Sequence, residues 1–473
     1  MIKHLPKRLK HLSQFVLIAF IVVSCSKKET DGPIIASQAN ELVSITIKRS
    51  DNPTMKDEAY VFRNAQEVSI TLPMETNLQA VKAEFVVSPK AKVSINNQTL
   101  INNTGTLDLS GIVAFKVTSE AGSSQTYTIM GKQGRKELDK LVYEFKAKYN
   151  IPGISLALSK TQGSKVLYRS GIGYSDKESQ VRVQPNHLFR LGSMSKQFTS
   201  ICIMKLIQQG NFNINNKVFG PDGILAEFSA TSEMSRRVTV RHLLEHTSGW
   251  TSDPDPLFTS SFRGQTLDQR INHMLISTQK EPGTVHSYYN MGFATLGKII
   301  EKVSGKKFEV FLKEVLSEAN ITDIHVGGNQ TQRRLNEAIY YSQDGANGYL
   351  NEMEVIAAAG GLIASTDELL KLLTHIDGLS NVPDILTPEI RTMMFTPSSV
   401  TNRYALGWRM NHTLYGSSPY HGGNLAGTAT MWVVGDINCV VLCNSRSYIL
   451  GFDDATYVLL RDLIATASGL SWD

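Results

Sequence analysis

The period of the hydrophobic pattern changes near residue 133, and this change constrains the fold more than any other feature of the chain. Between residues 38 and 132, apolar and polar residues alternate in LVSITIKRS, EVSITLP, VKAEFVVSP and IVAFKVTSEAGSSQTYTIM, with turn residues between these stretches. Such alternation is typical of antiparallel strands that bury one face. Residues 38–132 are therefore predicted to form a small all-β sandwich, in which SEAGSSQ is a hairpin turn.

From residue 136 onward the pattern predicts helices and strands together. KELDKLVYEF has one apolar helix face, and the helix predicted from Ser193 to Gly210 is apolar on several faces and therefore buried. Further helices are predicted at 267–277, 290–303, 307–318 and 453–467, and strands at YALGWRM, TATMWVV and NCVVLCN. The fold class predicted for residues 136–473 is α+β: strands from both ends form one antiparallel sheet flanked by helices, and the middle forms a helical lobe.

The first 24 residues read as an export signal. A cationic stretch, MIKHLPKRLKHLSQ, precedes the apolar run FVLIAFIVV, which is much shorter than the ~20 residues of a membrane-spanning helix. Ser24 and Cys25 follow in VVSC, which resembles the lipobox of bacterial lipoproteins and implies cleavage before Cys25 and lipid on its thiol. Residues 25–37 are then a polar tether, and the protein is expected in the cell envelope, on the periplasmic or cell-surface side of a membrane.

The net charge of +5 gives no reason to expect nucleic-acid binding. Four cations, Lys3, Lys7, Arg8 and Lys10, lie in the export signal, and removing residues 1–24 leaves a balance of +1. The remaining cysteines, Cys202, Cys439 and Cys443, are expected to be buried thiols. Their spacing matches no metal-ligand motif.

The stretch LGSMSKQF places Ser193 three positions before Lys196. Residues three apart share a helix face, so the serine oxygen can lie within reach of the lysine amine. Burial at a helix N-terminus lowers the pKa of a lysine and makes it a usable base, and the free N–H groups of that turn can receive an oxyanion. Taken alone, the motif is more typical of a serine that caps a solvated turn than of a nucleophile. Ser195 faces another way and is not the preferred nucleophile.

Two more stretches occur in a significant order. PGTVHSYYNMGFATLGKIIEKVSG holds Tyr288 and Asn290 before a helix, and SPYHGGNLAGTATMWVV holds His421, Gly422 and Gly423 before a strand. The succession Ser-x-x-Lys, Tyr-x-Asn, His-x-Gly resembles the serine β-lactamase and penicillin-binding protein superfamily. It is most similar to the class C-like branch, which includes D-aminopeptidases, esterases and D-Ala-D-Ala carboxypeptidases. The flanking stretches HLFRLGSMSK, HLLEHTSGW, GGLIASTDEL and YALGW agree with this branch.

The resemblance implies a role for each matching residue. Ser193 would attack a carbonyl and form an acyl-enzyme, Lys196 would take its proton, and Tyr288 would share this work and protonate the leaving group. The backbone N–H groups of Ser193 and of a residue just after Gly423 would form the oxyanion hole. Substrate-binding and oxyanion positions are implied at Asn290, His421, Gly422, Gly423 and Asn424.

His421 departs from the lysine-bearing form of the third motif. A lysine there is a cation suited to a substrate carboxylate, whereas histidine is mostly neutral at pH 7. The difference favours ester or small-amide hydrolysis and keeps D-Ala-D-Ala carboxypeptidase and β-lactamase activity as alternatives. No separate deacylation carboxylate stands out, so Tyr288 is the candidate for activating water.

HLLEH also matches the His-x-x-Glu-His signature of inverted zinc proteases, with His242 and His246 as ligands and Glu245 as base. TSGW follows at once, so a packed helix end is the preferred interpretation, and no metal is expected. His286, close to Tyr288 in sequence, either lines the site or is simply packed.

Together these observations predict a lipid-anchored serine hydrolase that needs no cofactor. It would act through an acyl-enzyme on an ester, an amide or a D-amino-acid peptide bond of a small-molecule or peptide substrate, including peptidoglycan-derived ones. The sandwich resembles the Ig-like modules of Bacteroidota surface lipoproteins. It is expected to be a spacer, with carbohydrate or protein binding left open. A catalytically silent, peptidoglycan-binding lipoprotein is the alternative from another class.

Overall fold

The computed structural model describes residues 36–100, 103–228, 232–251 and 254–472. The expected signal peptide, Cys25 and most of the expected tether lie outside the described residues. No described helix combines the length and the apolar character that crossing a lipid bilayer requires. Along the described chain, an all-β unit is followed by a unit of strands and helices, as the sequence predicts.

The N-terminal unit consists of two sheets around a common core. Its strands are β1 (Leu42–Thr46), β2 (Tyr60–Asn64), β3 (Glu67–Leu72), β4 (Val81–Val87), β5 (Lys92–Ile95), β6 (Gln98–Thr99), β7 (Thr104–Leu107), β8 (Ile112–Thr118) and β9 (Ser124–Gln133). One sheet has the order β1-β4-β7 and the other β2-β3-β9-β8-β5-β6. Alternate apolar side chains of both sheets form one cluster, in which the ring centroids of Phe85 and Phe115 are 4.5 Å apart. The prediction of a small all-β sandwich is therefore confirmed.

The second unit starts at residue 136 and contains the remaining elements. Its strands are β10 (Gly153–Lys160), β11 (Lys165–Asp176), β12 (Val181–Arg182), β13 (Phe189–Arg190), β14 (Ile324–Val326), β15 (Tyr341–Ser342), β16 (Leu362–Ala364), β17 (Tyr420–Leu425), β18 (Thr428–Val433), β19 (Ile437–Cys443) and β20 (Ser445–Arg446). Its helices are α1 (Lys136–Lys148), α2 (Ser195–Gln208), α3 (Glu233–Arg236), α4 (Val240–Leu244), α5 (Leu267–Ile276), α6 (Asn290–Ser304), α7 (Phe308–Ser317), α8 (Ala357–Gly360), α9 (Thr366–Thr374), α10 (Pro388–Phe395) and α11 (Phe452–Gly469).

The central sheet is antiparallel and has the order β12-β11-β10-β19-β18-β17. It therefore joins strands from both ends of the unit, as predicted. Side chains that face α1 and α11 are Ile154, Leu156, Leu158, Cys439, Val441 and Cys443, whereas Ala157, Val440 and Leu442 belong to the core of the helical lobe. Because helices cover both faces, the central strands are apolar at nearly every position, which explains the unbroken run in NCVVLCN.

The two units share a buried polar junction. The Asp139 carboxylate of α1 accepts hydrogen bonds from the hydroxyls of Thr71 in β3 and Tyr168 in β11, each at 2.9 Å. Lys132 of β9 forms an ion pair with the same carboxylate and also donates to Tyr168 and Ser170. Asp139 is fully buried, and its charge is satisfied by Thr71 and Lys132 of the first unit together with Tyr168 of the second.

The predicted strand YALGWRM is not a strand in the structure. Gly407 has a φ of +85°, which turns the chain so that Tyr404 and Arg409 form an isolated bridge to each other. Arg409 then bridges to Tyr420 at the start of β17. A turn therefore stands where a strand was predicted, and it carries the Arg409 side chain.

Candidate active site

Ser193 and Lys196 meet at the N-terminal end of α2. Ser193 lies in a 3-10 turn, Gly192–Met194, and Lys196 lies in the first turn of the helix. The lysine Nζ is 3.2 Å from the serine Oγ. Gly192 has a φ of +52°, and a Cβ there would lie 3.0 Å from the backbone nitrogen of Asn424. Only a glycine lets β17 approach this turn so closely.

Each N–H group of a charged Lys196 has an acceptor. Besides Ser193 Oγ, the Nζ atom lies 2.8 Å from Asn290 Oδ1 and 2.6 Å from the Ala359 carbonyl oxygen. The residue is fully buried. Burial lowers the pKa of Lys196 well below that of a free lysine, Arg409 lowers it further, and Asp255 opposes the shift. A neutral amine can donate to Asn290 and Ala359 and direct its lone pair at the serine hydroxyl.

Asp255 orients the amide of Asn290, and sequence reasoning missed it. The Asn290 Nδ2 group donates to Asp255 Oδ2 at 2.8 Å, so the amide oxygen is the atom that faces Lys196. The other carboxylate oxygen accepts from the backbone N–H of Leu257 at 3.0 Å. Burial raises the pKa of Asp255, while these hydrogen bonds oppose the rise. Its segment, DPDPL, has neither periodicity nor a motif that could have indicated this role.

Tyr288 lies between the side chains of Lys196 and Arg409, just before α6. The Lys196 Nζ lies 4.9 Å from the centroid of its ring, and the Arg409 guanidinium carbon lies 5.5 Å from it. The hydroxyl is buried and makes no well-aligned hydrogen bond to a described residue. Burial raises the pKa of Tyr288, and the Ser193 hydroxyl and Arg409 counteract the rise. The phenol therefore keeps its proton and lies next to the Ser193 hydroxyl.

Arg409 is the second group that the motif analysis missed. Within the described part of the chain its guanidinium forms no ion pair with a carboxylate. The positive charge of Arg409 nevertheless lowers the pKa values of Lys196, Tyr288 and His421, so it acts on three groups of the site. The YALGWRM stretch contains this residue, but its interpretation as a strand gave the side chain no particular role.

His421 is neutral and fully engaged within the protein. Its Nδ1 atom lies 2.7 Å from the Gly422 carbonyl oxygen, and its Nε2 atom lies 3.2 Å from the Tyr404 hydroxyl. Burial lowers the pKa of His421 well below the ordinary histidine value, and Arg409 and Lys196 lower it further. The ring therefore supplies no cation to the site, and both of its nitrogens already have protein partners.

Strand β17 brings the third motif to the nucleophile. Gly422, Gly423 and Asn424 lie on this strand, which is the edge of the central sheet next to the Ser193 turn. The Asn424 side chain is exposed, and its Nδ2 group lies 3.4 Å from Asp453 Oδ1 at the start of α11. The structure thus brings the residues of all three motifs to one place.

The other histidines and serines considered above have separate environments. His242 Nδ1 accepts from the Thr239 backbone at 3.2 Å, whereas the ring of His246 packs against Tyr288. No cluster of metal-ligating side chains occurs among the described residues. Ser195 Oγ accepts from the backbone N–H of Leu362 at 3.1 Å and so supports the β16 segment. His286 is half-buried beside Tyr404, with ring centroids 5.4 Å apart, and therefore lies at the site's border.

Residues 138–448 match the family model described as Beta-lactamase. Protein flp of Staphylococcus aureus (strain N315) is 25% identical over 339 residues, which cover 68% of this chain and 65% of that protein. A penicillin-binding protein of Bacillus subtilis (strain 168) is 27% identical over 332 residues, which cover 64% of this chain and 70% of that protein. The chain thus spans about two thirds of the length of these curated relatives.

The fold is also that of solved structures. A D-alanine carboxypeptidase of Burkholderia cenocepacia superposes with a TM-score of 0.59 at 17% sequence identity, over 70% of this chain and 98% of that one. The match supports the α+β architecture of an antiparallel sheet flanked by helices and a helical lobe. The N-terminal sandwich lies outside the span that the family model matches.

Proposed function

Because the chain belongs to the beta-lactamase family, we propose that it is an extracytoplasmic serine hydrolase that cleaves an ester, an amide or a D-amino-acid peptide bond through an acyl-enzyme on Ser193. The observation that carries the proposal is the contact of 3.2 Å between Lys196 Nζ and Ser193 Oγ. The neutral Lys196 amine donates its hydrogens to Asn290 and the Ala359 carbonyl, so its lone pair can point at the Ser193 hydroxyl and accept the proton. No cofactor enters the mechanism, because the chain itself supplies nucleophile, base and acid.

Acylation proceeds through a tetrahedral intermediate. Neutral Lys196 takes the proton of Ser193 as Oγ bonds to the substrate carbonyl carbon. The carbonyl oxygen becomes an oxyanion, which the backbone N–H groups of Ser193 and Asn424 stabilise. Tyr288 passes its proton to the leaving nitrogen or oxygen as the bond to carbon breaks, and the Lys196 ammonium returns a proton to the phenol. The products of this half-reaction are the acyl-serine and the released amine or alcohol.

Deacylation repeats these steps with water. As the water oxygen attacks the acyl carbon, the water proton passes to Tyr288, which hands its own phenol proton to the neutral Lys196 amine. When the tetrahedral intermediate collapses, the Lys196 ammonium gives this proton to the departing Ser193 Oγ, and the products are the free serine and a carboxylic acid. Among the described residues, Asp255 is the carboxylate whose charge acts on Lys196, but both of its oxygens already accept hydrogen bonds from Leu257 and Asn290. In this proposal it therefore holds Asn290 in place and does not activate water.

A second candidate, a D-Ala-D-Ala carboxypeptidase or a β-lactamase, is favoured by Arg409. Substrates of these enzymes carry a carboxylate near the scissile bond, and neutral His421 cannot pair with it. Arg409 is a permanent cation beside Tyr288, and no described carboxylate pairs with it. In this proposal its guanidinium binds the substrate carboxylate as an ion pair. Two proteins that this chain resembles, a penicillin-binding protein and a D-alanine carboxypeptidase, bear names that point to the same chemistry.

The proposal places the enzyme on a membrane. Lipid on Cys25 anchors it, residues 25–37 form the tether, and the N-terminal sandwich, an Ig-like module in this proposal, is the spacer before the hydrolase domain of residues 136–473. The support comes from the sequence: a cationic start, a short apolar run and a cysteine directly after it. Substrates are then small molecules or peptides of the envelope, including peptidoglycan fragments.

Active-site labelling tests the proposal. The purified protein is treated separately with a fluorescent fluorophosphonate and with a fluorescent penicillin. Ser193→Ala must abolish labelling, whereas Ser248→Ala, a control at a buried serine outside the three motifs, must retain it. Labelling by the fluorophosphonate alone favours an esterase-like enzyme, and labelling by both favours the penicillin-recognising candidate. Labelling by neither would overturn the hydrolase and favour a silent, peptidoglycan-binding lipoprotein.

A further inference from the structure

His246 contacts the chain on both sides of Tyr288. Its carbonyl oxygen accepts from the backbone N–H of Ser287 at 2.8 Å, and its ring Nδ1 accepts from the backbone N–H of Tyr289 at 3.1 Å. Between these two hydrogen bonds the imidazole packs on the Tyr288 ring, with centroids 4.3 Å apart. One buried residue thus fixes the backbone before, at and after the tyrosine that carries the proton.

The backbone of His246 has a left-handed conformation, with a φ of +57°. It lies just after α4, where the backbone N–H of Thr247 donates to the His242 carbonyl oxygen at 2.8 Å and closes the helix end. Histidine adopts this region more readily than most residues with a side chain. The helix end therefore turns the chain at His246, and the contacts with Ser287, Tyr288 and Tyr289 start from this turn.

The far side of the His246 ring starts a chain of hydrogen bonds with a defined direction. A backbone N–H can only donate, so Nδ1 carries the lone pair and the hydrogen is on Nε2, which lies 3.1 Å from the Tyr404 hydroxyl. At the other end, the Gly422 carbonyl can only accept, so His421 carries its hydrogen on Nδ1. Tyr404 must then donate its own hydrogen to His421 Nε2 at 3.2 Å.

The chain is neutral chiefly because both histidines are buried. Burial, and then nearby basic groups, hold the pKa values of His246 and His421 well below the ordinary histidine value. The titratable and charged groups that face the two rings from the packed elements are Lys196, Arg409, His286, Tyr288 and Tyr404. A protonated histidine would place a buried cation near Arg409, which both desolvation and Coulomb repulsion disfavour.

We propose that His246 is the positioning residue of Tyr288, and that Tyr404 and His421 connect it to β17. The Tyr288 hydroxyl and the Asn424 N–H group on β17 are thereby held at a fixed position relative to each other. The inference rests on the proposed function, since it assigns His246 a purpose only if Tyr288 transfers protons. His246 itself touches neither the nucleophile nor the substrate in this scheme. Its effect is exerted on the direction of the Tyr288 hydroxyl.

The rate of fluorophosphonate labelling at saturating reagent, measured separately from the half-saturating concentration, tests the assignment. In His246→Ala we expect the maximal rate to fall roughly 10²-fold, as for a reacting group misplaced by about 1 Å, with little change in the half-saturating concentration. His246→Asn is the conservative variant: asparagine tolerates the left-handed backbone, and its Oδ1 can accept from Tyr289. We expect it to recover a large part of the rate.

Two controls separate positioning from general damage. His242→Asn removes another histidine of the same HLLEH segment that does not contact Tyr288, and it should label at the wild-type rate. Tyr404→Phe cuts the chain to β17 but keeps both hydrogen bonds around Tyr288, so its loss should be smaller than that of His246→Ala. Thermal unfolding of every variant shows whether it is folded, and if His246→Ala does not fold, the asparagine and phenylalanine variants decide.

Several outcomes overturn the assignment. A folded His246→Ala that labels at the wild-type rate removes the positioning role, and so does an asparagine variant no better than alanine. A loss in Tyr404→Phe as large as that in His246→Ala would move the role from Tyr288 to β17. Absence of labelling in the wild-type protein would instead refute the proposed function, so the two failures are distinguishable.

Discussion

At the scale of single residues, the activity of the site depends on the lowered pKa of Lys196, which burial and the nearby charges set. Lys196 has a strongly lowered pKa because it is buried, and Asp255 is the group that opposes this shift. The amine acts as a base only in its neutral form, so activity falls as the pH drops through the lowered pKa. Any change that removes a negative charge nearby should therefore extend activity to lower pH.

Asp255→Asn tests this sign. Loss of the carboxylate removes the contribution that raises the pKa of Lys196, so we expect the acid limb of the labelling rate to move to lower pH. The amide keeps one of the two accepted hydrogen bonds, so the absolute rate also falls, and the pH midpoint is the informative readout. Asp268→Asn, at an exposed residue paired with Lys298, is the control and should leave the midpoint in place. A shift to higher pH would contradict the role given to Asp255.

Arg409→Gln tests the carboxylate site. We expect KM for a D-amino-acid peptide with a free terminal carboxylate to rise roughly tenfold or more, because a charge-assisted hydrogen bond contributes about 1.5–3 kcal/mol. The same peptide with an amidated terminus should show a much smaller change. Arg403→Gln, at an exposed arginine in the same turn, serves as the control. Equal losses on both peptides would show that Arg409 acts on Tyr288 and not on the substrate.

The sequence predicts the motif residues of this site but not their supports. Ser193 and Lys196 stand three positions apart, as a shared helix face requires, whereas Tyr288 and Asn290 could be singled out only through the resemblance to a known family. Asp255, His246 and Arg409 reach the site through loops whose course depends on tertiary packing. The sequence suggested His246 only as a metal-ligand candidate, because the HLLEH motif does not show the direction in which the imidazole ring points.

At the scale of elements, the site depends on the close approach of β17 to the turn before α2. Gly192→Ala should disturb this approach, since a Cβ would lie 3.0 Å from Asn424 N and from the Gly423 carbonyl carbon. We expect labelling to slow roughly 10²-fold because the oxyanion donors move relative to Ser193. Gly210→Ala is matched, with a φ of +77° but no atom within 4 Å of the added carbon. It should cost stability and leave labelling intact, and the same result for both variants would be evidence against the role of this contact.

Long periodic segments were the easiest elements to predict. The helices α5, α6 and α7 and the strands β18 and β19 lie where the hydrophobic period places them. The prediction of a strand at YALGWRM was wrong because Gly407, with its positive φ, reverses the direction of the chain within the alternating segment. Short strands such as β5, β6 and β7 were not singled out, since two to four residues carry too little periodicity.

At the scale of the whole molecule, the sandwich and the hydrolase unit are joined by an interior charge. Asp139→Ala would leave Lys132 beside the unsatisfied hydroxyls of Tyr168 and Thr71, and we expect it to cost about 3–5 kcal/mol of unfolding free energy. Asp57→Ala is the control: Asp57 pairs with Lys136 across the same junction, but on the surface, where ion pairs contribute little. Chemical denaturation measures both, and similar small losses would mean that the units are held together by apolar contacts alone.

The pairing of β10 with β19 has a consequence for how the protein folds. Ile154 is registered with Ile172 of the adjacent strand β11 on one side and with Cys443 of β19, far later in the chain, on the other. Until the pairing with β19 forms, a strand that is apolar on both faces stays exposed, and contacts this distant in sequence form slowly. The slow step in folding is therefore expected to be this long-range pairing, and the partly folded chain is open to misassociation until it forms.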